Sequence, residues 1–169
     1  FQYGQTGLEA IQYTQGSLKD TYYVVTNLQG DVVALIDGSG TEVVSYTYDA
    51  WGQLRSITGS KASTVGTYNP IRYRGYVYDT ETELYYLNSR YYDPKIGRFI
   101  NADSAISDVG EDIRGYNMYV YCFNNPVNML DLEGNWPRWI SAAVSVVATG
   151  VAIAAASVAA VTVAATAAT

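Results

Sequence analysis

At 169 residues the chain is long enough for one ordinary domain with a core of its own. Ten Lys and Arg stand against 16 Asp and Glu, a net charge of -6, so no nucleic-acid partner is expected of a segment without a basic surface. There is no histidine and one cysteine, which excludes imidazole acid/base chemistry, most zinc and haem sites, Cys–His catalysis and an internal disulfide. No cofactor and no metal are expected, and chemistry must rest on carboxylates, Tyr, Lys, Ser/Thr or Cys122. Aromatic usage is lopsided, 17 Tyr against 3 Phe and 3 Trp. Tyr buries a large ring and keeps a polar tip, which suits a sheet with wet faces better than a dry helical core.

The chain opens at Phe1 without Met and closes inside an Ala/Val run, the look of a piece of a larger protein. Composition changes near Gly134. Before it, the runs "TYYVVTN", "DVVALID", "EVVSYTYD", "YRGYVYD" and "ELYYLNSRYYD" alternate with turns at "LQGD", "DGSG", "AWGQ", "DTETE" and "DPKIG". Their β-branched and aromatic content and period-2 tendency predict antiparallel strands in a meander. A faint repeat runs through them: "YTYDAWGQL" at 46–54, "YVYDTETEL" at 76–84 and "RYYDPKIGRF" at 90–99. Each unit ends a strand in Tyr and places an Asp to cap the turn, so Asp49, Asp79 and Asp93 are read as turn caps, with Pro94 and Gly97 shaping the third turn. Such hairpin units stack edge to edge, and three cannot close on themselves.

Residues 105 to 134 open acidic, with a short helix expected near 107–114, and continue into a strand-like "YNMYVYCF" and the turn "NNP". Cys122 sits there as a buried, inert thiol. Arg72, Arg74, Tyr73, Tyr76 and Tyr78 admit two readings, a cell-surface carbohydrate contact or cross-strand aromatic packing, and packing is favoured. From Trp139 to Thr169 there is no charged residue. As a helix this Ala/Val-rich segment would exceed the roughly 30 Å apolar layer of a bilayer, and "NWPRWI" suits an interfacial anchor. Three readings stay open for 139–169: a membrane helix, a helix buried within a larger shell, and a flexible connector.

The motifs "YYVVTNLQGDVVALIDGSGTEVVSYTYDAWGQL", "RYRGYVYDTETELYYLNSRYYDPKIGRFINADS" and "YCFNNPVNMLDLEGN", in that order over residues 20 to 135, closely resemble the core of Rhs (YD-repeat) proteins. The resemblance implies a mainly β fold: a YD-repeat antiparallel β-hairpin shell fragment with a core plug, residues 1–134. A variable C-terminal region would start at 135–169 as a hydrophobic α-helix. It also implies a polymorphic toxin, secreted or envelope-associated, whose shell encloses its own C-terminal toxin domain as partner. Its core would cut the chain with its own aspartates, an aspartyl-protease-like event of a single turnover with no external substrate.

Asp103 and Asp131 match the aspartates of the two family motifs, and Arg90 matches the family's arginine. Two close carboxylates would divide acid and base roles, and the planar guanidinium would hold a carboxylate or polarise the scissile carbonyl. The cleavage site falls at Asn135–Trp136. Self-cutting members end the core in Asp-Pro-x-Gly-Leu, whereas this chain has Asp131-Leu132-Glu133-Gly134-Asn135. The alternative is an uncleaved structural or adhesive cell-surface YD-repeat protein.

Overall fold

The computed structural model describes residues 1–4, 7–103, 117–135 and 138–139. Six strands form one antiparallel meander in sequence order: β1 (Gln2–Gly4), β2 (Gly7–Gln15), β3 (Leu18–Thr26), β4 (Val32–Ile36), β5 (Glu42–Tyr48) and β6 (Leu54–Thr58). A second antiparallel sheet has the order β10-β9-β8-β7, from β7 (Val77–Asp79), β8 (Leu84–Leu87), β9 (Arg90–Asp93) and β10 (Arg98–Phe99). Two short strands, β11 (Met129–Leu130) and β12 (Arg138–Trp139), pair with each other. The mainly β, antiparallel class expected from the alternating runs is what is found.

The sheets bury two neighbouring clusters. Ile11, Tyr22, Val32, Leu35, Val44 and Val65 lie in the first, under the six-stranded sheet. Tyr73, Tyr76, Tyr85, Leu87, Tyr92, Phe99 and Tyr121 lie in the second. Period 2 is visible in the four-stranded sheet: Tyr85, Leu87 and Tyr92 face inward, while their neighbours Tyr86 and Tyr91 are exposed. The tyrosine bias has a specific use here. The hydroxyls of Tyr73, Tyr92 and Tyr85 donate to the carbonyls of Ala50, Trp51 and Gly52 at 3.0, 2.7 and 2.9 Å. Three consecutive carbonyls of one turn are thus satisfied from within the aromatic cluster, which Phe could not do.

Several expected elements come out differently. "YRGYVYD" is strand only over Val77–Asp79, because Tyr73–Gly75 closes a tight helical turn with Arg74 and Gly75 at φ 55° and 73°. "ELYYLNSRYYD" is two strands, folded back at Asn88–Ser89 with Leu87 opposite Arg90. Within "YNMYVYCF", the described residues from Asn117 on are not a strand: Val120 makes one bridge to Arg98, and Cys122, Phe123 and Asn124 are all left-handed. Tertiary burial of Tyr121 and Cys122 overrides β propensity there. The strands β1, β2 and β6 had no counterpart in the sequence reading. Trp139, expected to begin a helix, pairs with Met129 as strand instead. The helix expected at 107–114 and the rest of the segment to Thr169 lie outside the described residues. Among the described residues no helix is long and apolar enough to cross a membrane.

Candidate functional site

The turn-capping aspartates provide the reference for the site. Asp37, Asp49, Asp79 and Asp93 each accept the amide two residues ahead at 2.8–2.9 Å, which is the Asx turn that ends a YD strand. Gly97, at φ 67°, closes the Asp93 turn. Asp131 does the same with more: its Oδ1 accepts the amides of Glu133, Gly134 and Asn135 at 3.3, 2.8 and 3.1 Å. It differs in two respects. Asp131 is 1 % exposed, and its other oxygen, Oδ2, is buried with no hydrogen-bond partner. A buried carboxylate with a spare oxygen is costly, and a structural turn cap does not need one.

Arg90 begins β9, on the strand side of the tight Asn88–Ser89 turn, which points its guanidinium inward over the Phe99 ring, 3.7 Å from the centroid. Five acceptors converge on that group. Nη1 donates to Met118 O at 3.0 Å, Nε donates to Gly134 O, and Nη2 donates to Asn135 O at 3.2 Å. The same Nη2 lies 3.1 Å from Asp103 Oδ2 and 3.8 Å from Asp131 Oδ2. One guanidinium therefore gathers Asp103, Asp131 and the carbonyl of the Asn135–Trp136 peptide, residues that together with Arg90 spread over 46 positions of sequence. Asp103 is placed for this by its own amide, which donates to Met118 O at 2.9 Å.

Burial sets the electrostatics. It pushes the Asp131 carboxyl above its ordinary 3.8, opposed by the three loop amides and by Arg90. It pulls the Arg90 guanidinium below its ordinary value, opposed by Asp103 and Asp131. Behind the loop, the fully enclosed Tyr76 hydroxyl donates to the Asp131 carbonyl and meets the Tyr121 hydroxyl at 3.2 Å. The arrangement can present one carbonyl to a cation while holding two acids beside it.

Other residues singled out in the sequence serve packing. Arg72 donates to Asn69 O and Thr67 O at 3.0 and 2.8 Å and stacks on Tyr78. Tyr73, Tyr76, Arg72 and Arg74 are buried, so they form no carbohydrate-facing surface. Arg98 is exposed and pairs with Asp93 across β9 and β10. Two features had no signal in the sequence. Arg74 joins Asp31, 3.4 Å away, to the carbonyls of Pro126 and Met129, which fastens the Asn27–Asp31 turn to the end of the core. Ser89 places its Oγ 2.7 Å from both Glu133 O and Gly134 O.

A family model, Teneurin YD-shell, matches residues 5–127. The chain belongs to this YD-shell family. The Rhs kinship expected from its ordered motifs is thereby shown. It is 40% identical over 136 residues to the tRNA3(Ser)-specific nuclease WapA of Bacillus spizizenii, covering 80% of this chain and 6% of the relative. It is 33% identical over 113 residues to the double-stranded DNA deaminase toxin A of Burkholderia cenocepacia, covering 67% of this chain and 7% of that protein. Among solved structures, the crystal structure of TcdB2-TccC3 matches with a TM-score of 0.62 at 31% identity, over 72% of this chain and 6% of that one. This YD-shell chain thus spans a small part of each relative, and its kin include toxin components.

Proposed function

We propose that this YD-shell chain is the C-terminal core of an Rhs-type toxin, closing a β shell around a downstream effector and releasing it by cutting itself at Asn135–Trp136. Residues 1–134 would be the core and 135–169 the start of the variable region, in a secreted or envelope-associated protein. The observation that carries the cut is the single Arg90 Nη2 shared by Asn135 O, Asp103 and Asp131. In this reading Arg90 draws charge from the Asn135 carbonyl as water attacks its carbon. Asp103, paired with Arg90, takes the water proton. Asp131, whose carboxyl holds its proton more tightly, supplies one to the Trp136 nitrogen as the C–N bond breaks.

Asp131→Asn tests this well, because the amide oxygen can still cap the loop while the acid is gone. Intact mass of the full chain after incubation should show cleavage at 135–136, lost in Asp131→Asn and in Asp103→Asn. A second reading, an uncleaved structural or adhesive surface protein, draws on the triple amide cap at Asp131 Oδ1, which is turn-cap geometry. Equal cutting in both Asn variants, or a chain that stays whole at every pH tested, would favour it.

A further inference from the structure

The loop from Asp131 to Asn135 is held on both sides, and apart from the Asp131 carboxylate these contacts use its backbone alone. Its amides at Glu133, Gly134 and Asn135 go to Asp131 Oδ1. Its carbonyls meet three consecutive residues of the β8–β9 turn. Asn88 Nδ2 reaches Leu132 O at 3.5 Å, Ser89 Oγ reaches Glu133 O and Gly134 O at 2.7 Å, and Arg90 takes Gly134 O and Asn135 O. The side chains of Leu132 and Glu133 are exposed, and none of these contacts uses them. Gly134 is the exception. It is buried at φ 73°, and a Cβ there would sit 2.5 Å from Leu87 O and 2.7 Å from Ser89 Oγ.

We propose that Asn88–Ser89–Arg90 is a carbonyl-reading clamp that sets the cutting position by backbone register. Ser89 is its positioning residue, and Gly134 is the loop position whose identity it demands. This rests on the self-cleavage reading above and adds the specificity of the same site. No hydrogen bond of the clamp uses the Leu132 amide, the donor that a proline at this position would lack. A serine hydroxyl has one proton for two carbonyls, so Ser89 holds the Glu133–Gly134 segment flush against the turn and hands Gly134 O and Asn135 O to Arg90. A small error in that placement misaligns the scissile carbonyl.

The test compares cleavage rates of the full chain, read by intact mass, with amide exchange of Gly134 and Asn135. Ser89→Ala should slow the cut about tenfold, the worth of one hydrogen bond that positions the loop just before the reacting carbonyl. Ser89→Thr, which keeps the hydroxyl, should recover most of the rate. Leu132→Ala and Glu133→Ala should stay within about twofold, while Gly134→Ala should fall by about a hundredfold or more. Loss of cutting on changing Leu132 or Glu133, or none on changing Ser89, overturns the clamp but leaves self-cleavage standing. A chain that never cuts overturns self-cleavage and with it the setting of a cutting position, and the carbonyl clamp alone is then judged on exchange. Faster exchange at Gly134 and Asn135 in Ser89→Ala supports it, and unchanged exchange overturns it.

Discussion

Replacing Arg90 by Met keeps the stem that covers Phe99 and removes the charge and all five donors. Arg90 is 5 % exposed, and its head group is the counter-charge for Asp103 at 3.1 Å and for the partnerless oxygen of Asp131 at 3.8 Å. Taking one partner from a buried charge pair costs about 3–5 kcal/mol, because the remaining charge stays desolvated. The carbonyls of Met118, Gly134 and Asn135 lose their donor in the same change. The loss should depend on pH. The Asp131 carboxyl already lies above its ordinary 3.8, and Arg90 is one of the groups drawing it down, so the variant raises it further. An acid raised in the folded state takes up a proton on folding. Its stability contribution is complete below the ordinary value and is lost as pH climbs through the folded value. Urea unfolding of both proteins from pH 7 down toward pH 4 should therefore show the gap widest at neutral pH and narrowing with acid, at constant m. A gap under about 1 kcal/mol, or one of equal size across that range, would refute the reasoning that Arg90 neutralises a buried acid.

Three further outcomes follow from the same interior. Tyr76→Phe leaves the Asp131 carbonyl buried without the hydroxyl that donates to it, and should lower stability by about 1–3 kcal/mol in thermal unfolding. Gly52→Ala forces a left-handed residue at φ 86° and a Cβ 2.4 Å from the Tyr73 ring, so it should cost about 2–4 kcal/mol. Gly38→Ala, with nothing within 4 Å, is the control expected to change the midpoint little. Cys122 is 1 % exposed, and burial pushes its thiol up to about 12. An alkylating reagent at about pH 8 should leave it unmodified in the folded protein and label it fully in urea, by mass.

Much of the fold was legible because it is local. A Tyr-Asp pair followed by a turn predicts where a strand stops, and the caps at Asp49, Asp79 and Asp93 rest on contacts two to four residues long. Arg90, Asp103 and Asp131 came from ordered motifs rather than from spacing, since nothing in 41 residues of sequence shows that two carboxylates meet one guanidinium. Ser89 was illegible for the opposite reason: a serine in a tight turn already has an ordinary explanation. Arg74 and Asp31 are 43 residues apart and meet only once both sheets are built. The strand expected through Tyr121 failed because three left-handed residues follow it, a cost repaid by burial that no window of sequence contains.

The pairing of β11 with β12 places one strand on each side of the Asn135–Trp136 bond, with Met129 opposite Trp139 and Leu130 opposite Arg138. Severing that bond would turn a hairpin into a nicked duplex, with the new amino end still zipped to the core by two residue pairs. Chemistry and departure then become separate events with separate clocks. A denaturing gel would time the first, and a native one the second. The lag between them would measure how firmly so short a zip holds the severed end in place.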